Sequence, residues 1–219
     1  MNTALIIQQV LSTDKFTNEY RDMMRLIYQR HAAYAGAHGF DYWHILGDYA
    51  PEFNRWRGGW DKLQLIGDAL AKGWEFIAWI DSDAAITGDV DLREALPEGK
   101  LIGACEHYAP WFEASQIPRH FNIGVTYWRN NPITRKFIAE WIASYPGDKR
   151  WGEQGPFNAL VTGEYKDYFH PCEARWNATV NVNMMDKPVV MGWHGIVPLV
   201  KRLDMMKEAL KDDFLKFRI

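Results

Sequence analysis

The sequence predicts an α/β protein, a mixed, mainly parallel central sheet flanked by helices, and three observations carry that prediction. Short apolar runs rich in Ile, Val and aromatics alternate along the chain with longer segments whose apolar residues recur every three or four positions. The run Trp74-Glu75-Phe76-Ile77-Ala78-Trp79-Ile80 is almost wholly apolar and too short for a helix, so it reads as a strand covered on both faces. It drives straight into Asp81-Ser82-Asp83, and the C-terminal edge of such a strand is where open α/β sheets bind ligands.

Ala4 to Val10 reads as the first buried strand. Asn18 or Thr17 is then placed to cap a helix in which Tyr20, Met23, Met24, Ile27, Tyr28 and His31 recur at three and four. Phe40 to Leu46 fits a second strand, and Trp56-Arg57-Gly58-Gly59-Trp60 a loop suited to cover a ligand, leading into a helix from Asp61 to Ala71. Beyond the acidic pair, strands are expected at Lys100 to Glu106 and Asn122 to Trp128. A helix follows from Pro132 to Tyr145 with Ile133, Phe137, Ile138, Trp141 and Ile142 on one face. Glu153 to Val161 fits a short helix, Val189 to Trp193 a strand, and Pro198 to Ile219 a charged amphipathic helix. With no repeat, low-complexity segment or Ser/Gly-rich linker, the 219 residues are expected to form one domain.

A formal charge of −3 gives no global pull towards nucleic acid or anionic membrane. Cys105 and Cys172 form no CxxC pair, the N-terminus lacks the basic start of a secretory signal, and no run reaches the roughly 18 apolar residues of a membrane span. These features point to a reducing compartment, most simply the cytoplasm. Most of the eleven Trp must be core, although exposed aromatic faces serve as platforms for sugar rings or bases.

Two carboxylates at a strand end can hold a hard divalent cation, at about 2.1 Å for magnesium, that grips a diphosphate. An isolated Asp-x-Asp is also a common turn or helix cap. Phosphotransferases of the haloacid-dehalogenase type place the motif after an apolar strand too, but near the N-terminus and with Thr or Val where this chain has Ala85.

Further stretches narrow the choice: His31-Ala32-Ala33-Tyr34-Ala35 before Gly39-Phe40-Asp41-Tyr42, then Trp60-Asp61-Lys62, Trp79-Ile80-Asp81-Ser82-Asp83-Ala84, Phe121-Asn122-Ile123-Gly124, Glu153-Gln154 and Gly192-Trp193-His194-Gly195. In this order they resemble nucleotide-sugar-dependent glycosyltransferases of the GT-A fold, particularly the galactosyl- and xylosyltransferases of glycosyltransferase family 34. The resemblance implies a Rossmann-like nucleotide-diphospho-sugar transferase fold in which Asp81, Asp83 and His194 hold manganese or magnesium against the donor diphosphate. An imidazole beside two carboxylates favours manganese. Asn122 and Gly124 are implied at the sugar pocket, and Glu153 and Gln154 near the anomeric carbon, with Glu153 where the family has Asp. Lys62, after Trp60-Asp61, is suited to neutralise a phosphate or bind donor hydroxyls; from position, Gln8 is expected at the nucleotide base or ribose, Lys201 at the diphosphate, and His107, His170, Arg175 and Trp176 towards the acceptor.

The expected reaction moves a sugar from a nucleoside-diphosphate donor, most simply a UDP-sugar, to an acceptor hydroxyl with retention. The acceptor is a glycan or another hydroxyl compound, including a modified base in viral DNA. For the DNA acceptor, the C-terminal Lys201, Arg202, Lys207, Lys211, Lys216 and Arg218 offer a basic face, which interleaved Asp204, Glu208, Asp212 and Asp213 offset. With no signal anchor in the chain, a bacterial or viral enzyme is expected. A catalytically silent sugar-binding module and a metal-dependent phosphohydrolase remain as alternatives.

Overall fold

The computed structural model describes residues 3–10, 17–50, 59–107, 120–145 and 152–211. Strands β1 (Ala4–Val10), β2 (Asp41–Leu46) and β3 (Phe76–Ile80) are linked by helices α1 (Thr17–His38) and α2 (Asp61–Ala71), and β1 pairs in parallel with both other strands. Parallel neighbours need long crossovers, which the two helices supply. β5 (Ile102–Glu106), β6 (Phe121–Arg129) and β7 (Phe169–Cys172) complete the order β2-β1-β3-β6-β5-β7, in which β6 runs antiparallel to β3 and β5 while β5 and β7 are parallel. A second sheet contains β4 (Ala84–Ile86), β8 (Ala178–Thr179) and β9 (Val190–Gly192), in the order β4-β9-β8.

β1 and β3 are buried along their whole length, and their side chains alternate between the two covered faces of the sheet. Leu5, Ile7, Ile77 and Trp79 enter one apolar cluster, while Ala4, Ile6, Phe76, Ala78 and Ile80 enter the other. The first cluster packs against α2 and against helices α3 (Pro132–Ala143) and α4 (Gln154–Thr162). Much of the Trp content is spent there: Trp128 and Trp141 stack at 6.0 Å, with Phe137 and Phe157 against them. A third cluster joins α1 to α5 (Leu199–Leu210) through Met23, Ile27, Trp193, Leu203 and Met206.

The differences from expectation are local. α1 already includes Thr17, so Asn18 lies inside the first turn instead of capping it. β2 starts at Asp41 and β5 at Ile102, one and two residues late, and α5 ends at Leu210. Trp56-Arg57-Gly58 and the expected helical residues 212–219 lie outside the described residues. No periodic pattern marks β4, which has only three residues, or β7, an edge strand interrupted by Pro171.

One irregularity positions the site. Ala104 pairs with Thr126 but Cys105 pairs with Asn122, so Ile123, Gly124 and Val125 leave the β5 ladder. They stay against β3, where Val125 pairs with Ile80 and the Asp81 N–H donates to the Gly124 carbonyl at 2.7 Å. A bulge beside a ligand site re-aims backbone in this way. Among the described residues, no helix is long and apolar enough to cross a membrane.

Candidate active site

Strand pairing places the acidic pair. Asp81-Ser82-Asp83 connects β3 of the large sheet to β4 of the small one. β4 pairs antiparallel with β9, Ala84 opposite Gly192, and the ladder extends as the Trp193 N–H donates to the Asp83 carbonyl at 2.9 Å. His194 thereby lies beside the Asp83 side chain, its Nδ1 2.9 Å from Oδ1. One donor atom from each of Asp81, Asp83 and His194 falls within 4.8 Å of the others. Oxygen and imidazole donors in this combination suit a divalent cation. His194 Nε2 is buried without a hydrogen-bond partner, a donor atom left over by the protein itself. The residues therefore fit a metal ion.

Two glycines shape the imidazole's slot. A Cβ on Gly124 would lie 2.5 Å from His194 Cε1, and one on Gly192 would lie 2.6 Å from His194 Nε2. Asp83 Oδ2 faces the buried guanidinium of Arg202 at 2.6 Å. Burial pushes the Asp83 carboxyl up, but His194 and Arg202 outweigh it and hold the group below the usual carboxylate range. Burial draws His194 down, and the Asp83 carboxylate more than reverses this.

Lys62 links the acidic pair to the next residues. Its Nζ is 3.7 Å from Asp81 Oδ1 and 3.5 Å from Glu153 Oε1, and it donates to the Ile123 carbonyl at 3.4 Å. Burial lowers the Lys62 pKa, but Asp81 and Glu153 together raise it above the ordinary value, so the amine stays charged. Glu153 occupies the N-cap position of α4 yet makes no side-chain cap; its carboxylate is turned to Lys62. The Ile123 N–H donates to Gln154 Oε1 at 3.3 Å, so Gln154 Nε2 donates to His120 Nε2, 2.7 Å away. Burial lowers His120 to about 4, which keeps that nitrogen free to accept near neutral pH. Asn122 Oδ1 accepts from the Gly124 N–H at 2.8 Å and from Asn177 Nδ2 at 3.0 Å.

Gln8 is wholly buried: Oε1 accepts from Tyr42 at 2.6 Å and meets His31 Nδ1 at 2.8 Å, while Nε2 donates to the Asp81 carbonyl at 3.4 Å. Gln8 thus supports the acidic loop from below. Lys201 is exposed, and the cation that α5 delivers to Asp83 is its neighbour Arg202. Trp176 is core, with Arg175 over its ring at 4.9 Å; His107 is buried against Thr179, and His170 lies on edge strand β7. Arg202, His120 and Asn177 had no signal of their own in the sequence. His120 stood only as the unremarked neighbour of Phe121-Asn122.

The buried imidazoles also set an acid limit on stability. The Ile86 N–H donates to His31 Nε2 at 2.9 Å, so Nδ1 carries the proton and donates to Gln8. Burial lowers His31 to about 3, and His107 likewise to about 3, from 6.5. Below pH 6.5 the unfolded chain therefore binds protons that the folded chain refuses, and stability falls as pH falls. Each residue contributes up to about 1.4 kcal/mol per pH unit. Urea midpoints at pH 7, 6 and 5 should decline progressively; a flat profile would contradict neutral burial of both rings.

A mainly parallel sheet with one reversed strand, a small second sheet, and paired carboxylates bridging the two define a GT-A nucleotide-sugar transferase. A family model described as nucleotide-diphospho-sugar transferase matches residues 56–211, and the chain belongs to that family. It is a glycosyltransferase enzyme by this membership. No curated protein matches the sequence. Among solved structures, a glycosyltransferase involved in glycosylation of the major capsid of PBCV-1 is 16% identical with a TM-score of 0.67, covering 94% of this chain and 98% of that one. Mouse xyloside xylosyltransferase 1 in its apo form is 13% identical with a TM-score of 0.53, over 89% of this chain and 98% of that one. Apo GlyE of Streptococcus pneumoniae TIGR4 is 14% identical with a TM-score of 0.53, over 97% of this chain and 63% of that one. At these identities the likeness shows the fold.

Proposed function

We propose that the chain, acting as one catalytic domain, is a manganese- or magnesium-dependent retaining glycosyltransferase that uses a UDP-sugar. The observation that supports this most strongly is the convergence of Asp81, Asp83 and His194 beside Lys62, Glu153 and Gln154. Asp81, Asp83 and His194 hold the cation, which supplies Lewis-acid neutralisation of the leaving diphosphate when bound. Lys62 adds a fixed positive charge on the same side. Asn122 and Gly124 border the sugar, and Glu153 takes a sugar hydroxyl.

In the reaction, the bond from the anomeric carbon to the diphosphate oxygen breaks and a bond to the acceptor oxygen forms on the same face. The acceptor proton passes to the departing diphosphate oxygen. Gln154, held by Ile123 and His120, presents an amide dipole to the oxocarbenium-like state; an amide is a poor nucleophile but a good dipole. The acceptor is most simply a glycan. The capsid-glycosylating neighbour supports a glycan-building role, whereas the mixed charges of α5 favour no DNA acceptor.

The test is the product. Incubation with UDP-sugar, manganese and a panel of sugar acceptors should release UDP in proportion to a glycoside whose anomeric proton coupling matches that of the donor. An inverted product would overturn retention. Phosphate release that ignores the acceptor would favour a phosphohydrolase.

A further inference from the structure

The two carboxylates of the acidic loop each already face a buried cation. Lys62 lies 3.7 Å from Asp81, and Arg202 lies 2.6 Å from Asp83. Asp83 Oδ1 lies 2.9 Å from His194 Nδ1, and Oδ2 lies 2.6 Å from Arg202. Arg202 is itself buried, anchored by Nε donating to the Ile196 carbonyl at 3.0 Å. A metal ion arriving alone must therefore compete with a resident guanidinium. Displacing that guanidinium strands a buried charge, which is costly unless another anion takes it up.

We propose that Arg202 is an exchangeable counter-ion: it occupies Asp83 in the free protein and turns to the donor's diphosphate when the metal takes Asp83. The inference rests on the metal site of the proposed function. The anchor to Ile196 lets the guanidinium change acceptor without leaving the site, and a diphosphate offers the oxygens that its fork requires. Metal and nucleoside diphosphate then bind cooperatively, because each removes the obstacle to the other.

The test measures binding, not turnover, on metal-stripped protein by calorimetry. Arg202→Met should bind manganese alone at least about fivefold more tightly than the parent, yet bind UDP at saturating manganese at least about fivefold more weakly. Opposite signs are the signature, since a merely structural loss would weaken both. Arg202→Gln, which keeps a donor for Asp83 without the charge, should behave alike and decides the matter if the Met variant does not fold. Manganese that binds the parent and binds the neutral variants no more tightly would overturn the counter-ion role alone. Manganese that binds no form of the protein, with or without UDP, would overturn the metal site and the counter-ion role together.

Discussion

Asp83→Asn is expected to lower sugar transfer by about 10²–10³-fold, the effect of removing one preorganised electrostatic group from a charged transition state. The change removes a proposed metal donor and the partner of both His194 and Arg202. Breaking a buried ion pair on one side costs about 3–5 kcal/mol, so the variant should also melt earlier. Assays well below its lowered melting point, with folding checked by circular dichroism, separate the two effects. Asp81→Asn is the companion, because its side chain is about a third exposed (32%) and its loss leaves Arg202 paired. It should lose transfer comparably at a smaller cost in stability. Near-parental activity in both variants would remove the acidic pair from the chemistry.

The second large effect is steric. Gly124→Ala and Gly192→Ala each drive a methyl into the His194 ring, at 2.5 Å and 2.6 Å before relaxation. The ring must tilt out of its slot, and displaced metal ligands or their supports typically cost about 10–100-fold in metal affinity or activity. Gly36→Ala is the control: at this exposed position of α1 its methyl meets nothing within 4 Å, and it should leave binding unchanged while stabilising the helix by up to about 1 kcal/mol. Parental manganese binding in both slot variants would show that the imidazole is not held where the metal needs it.

These residues differ in how far the sequence alone revealed them. Asp81 and Asp83 were legible because an apolar strand running into two carboxylates is a local pattern, and the boundaries of β1 and α2 were legible for the same reason. Arg202, which reaches Asp83, had no local signal to set it apart from exposed Lys201, because adjacent helical residues point about 100° apart, and which one faces inward depends on how α5 docks on α1. His120 and Asn177 meet Gln154 and Asn122 across 34 and 55 residues of sequence. Such contacts follow from the β6 bulge and the small sheet, neither of which has a periodic signature. Gln8 illustrates the converse: its place at the end of β1 was evident, but its amide is committed to His31, Tyr42 and Asp81, partners contributed by other elements.

The most direct test of the central claim, that the acidic loop and His194 form a metal-dependent donor site, is the melting temperature of the protein with UDP-, GDP-, CMP- and ADP-sugars, each with and without manganese. A ligand at about 100 times its Kd stabilises the native state by about 2.7 kcal/mol. The account predicts a rise with a UDP-sugar only when manganese is present, and none in Asp83→Asn. The same rise without metal or in Asp83→Asn, or no rise with any donor, would contradict it.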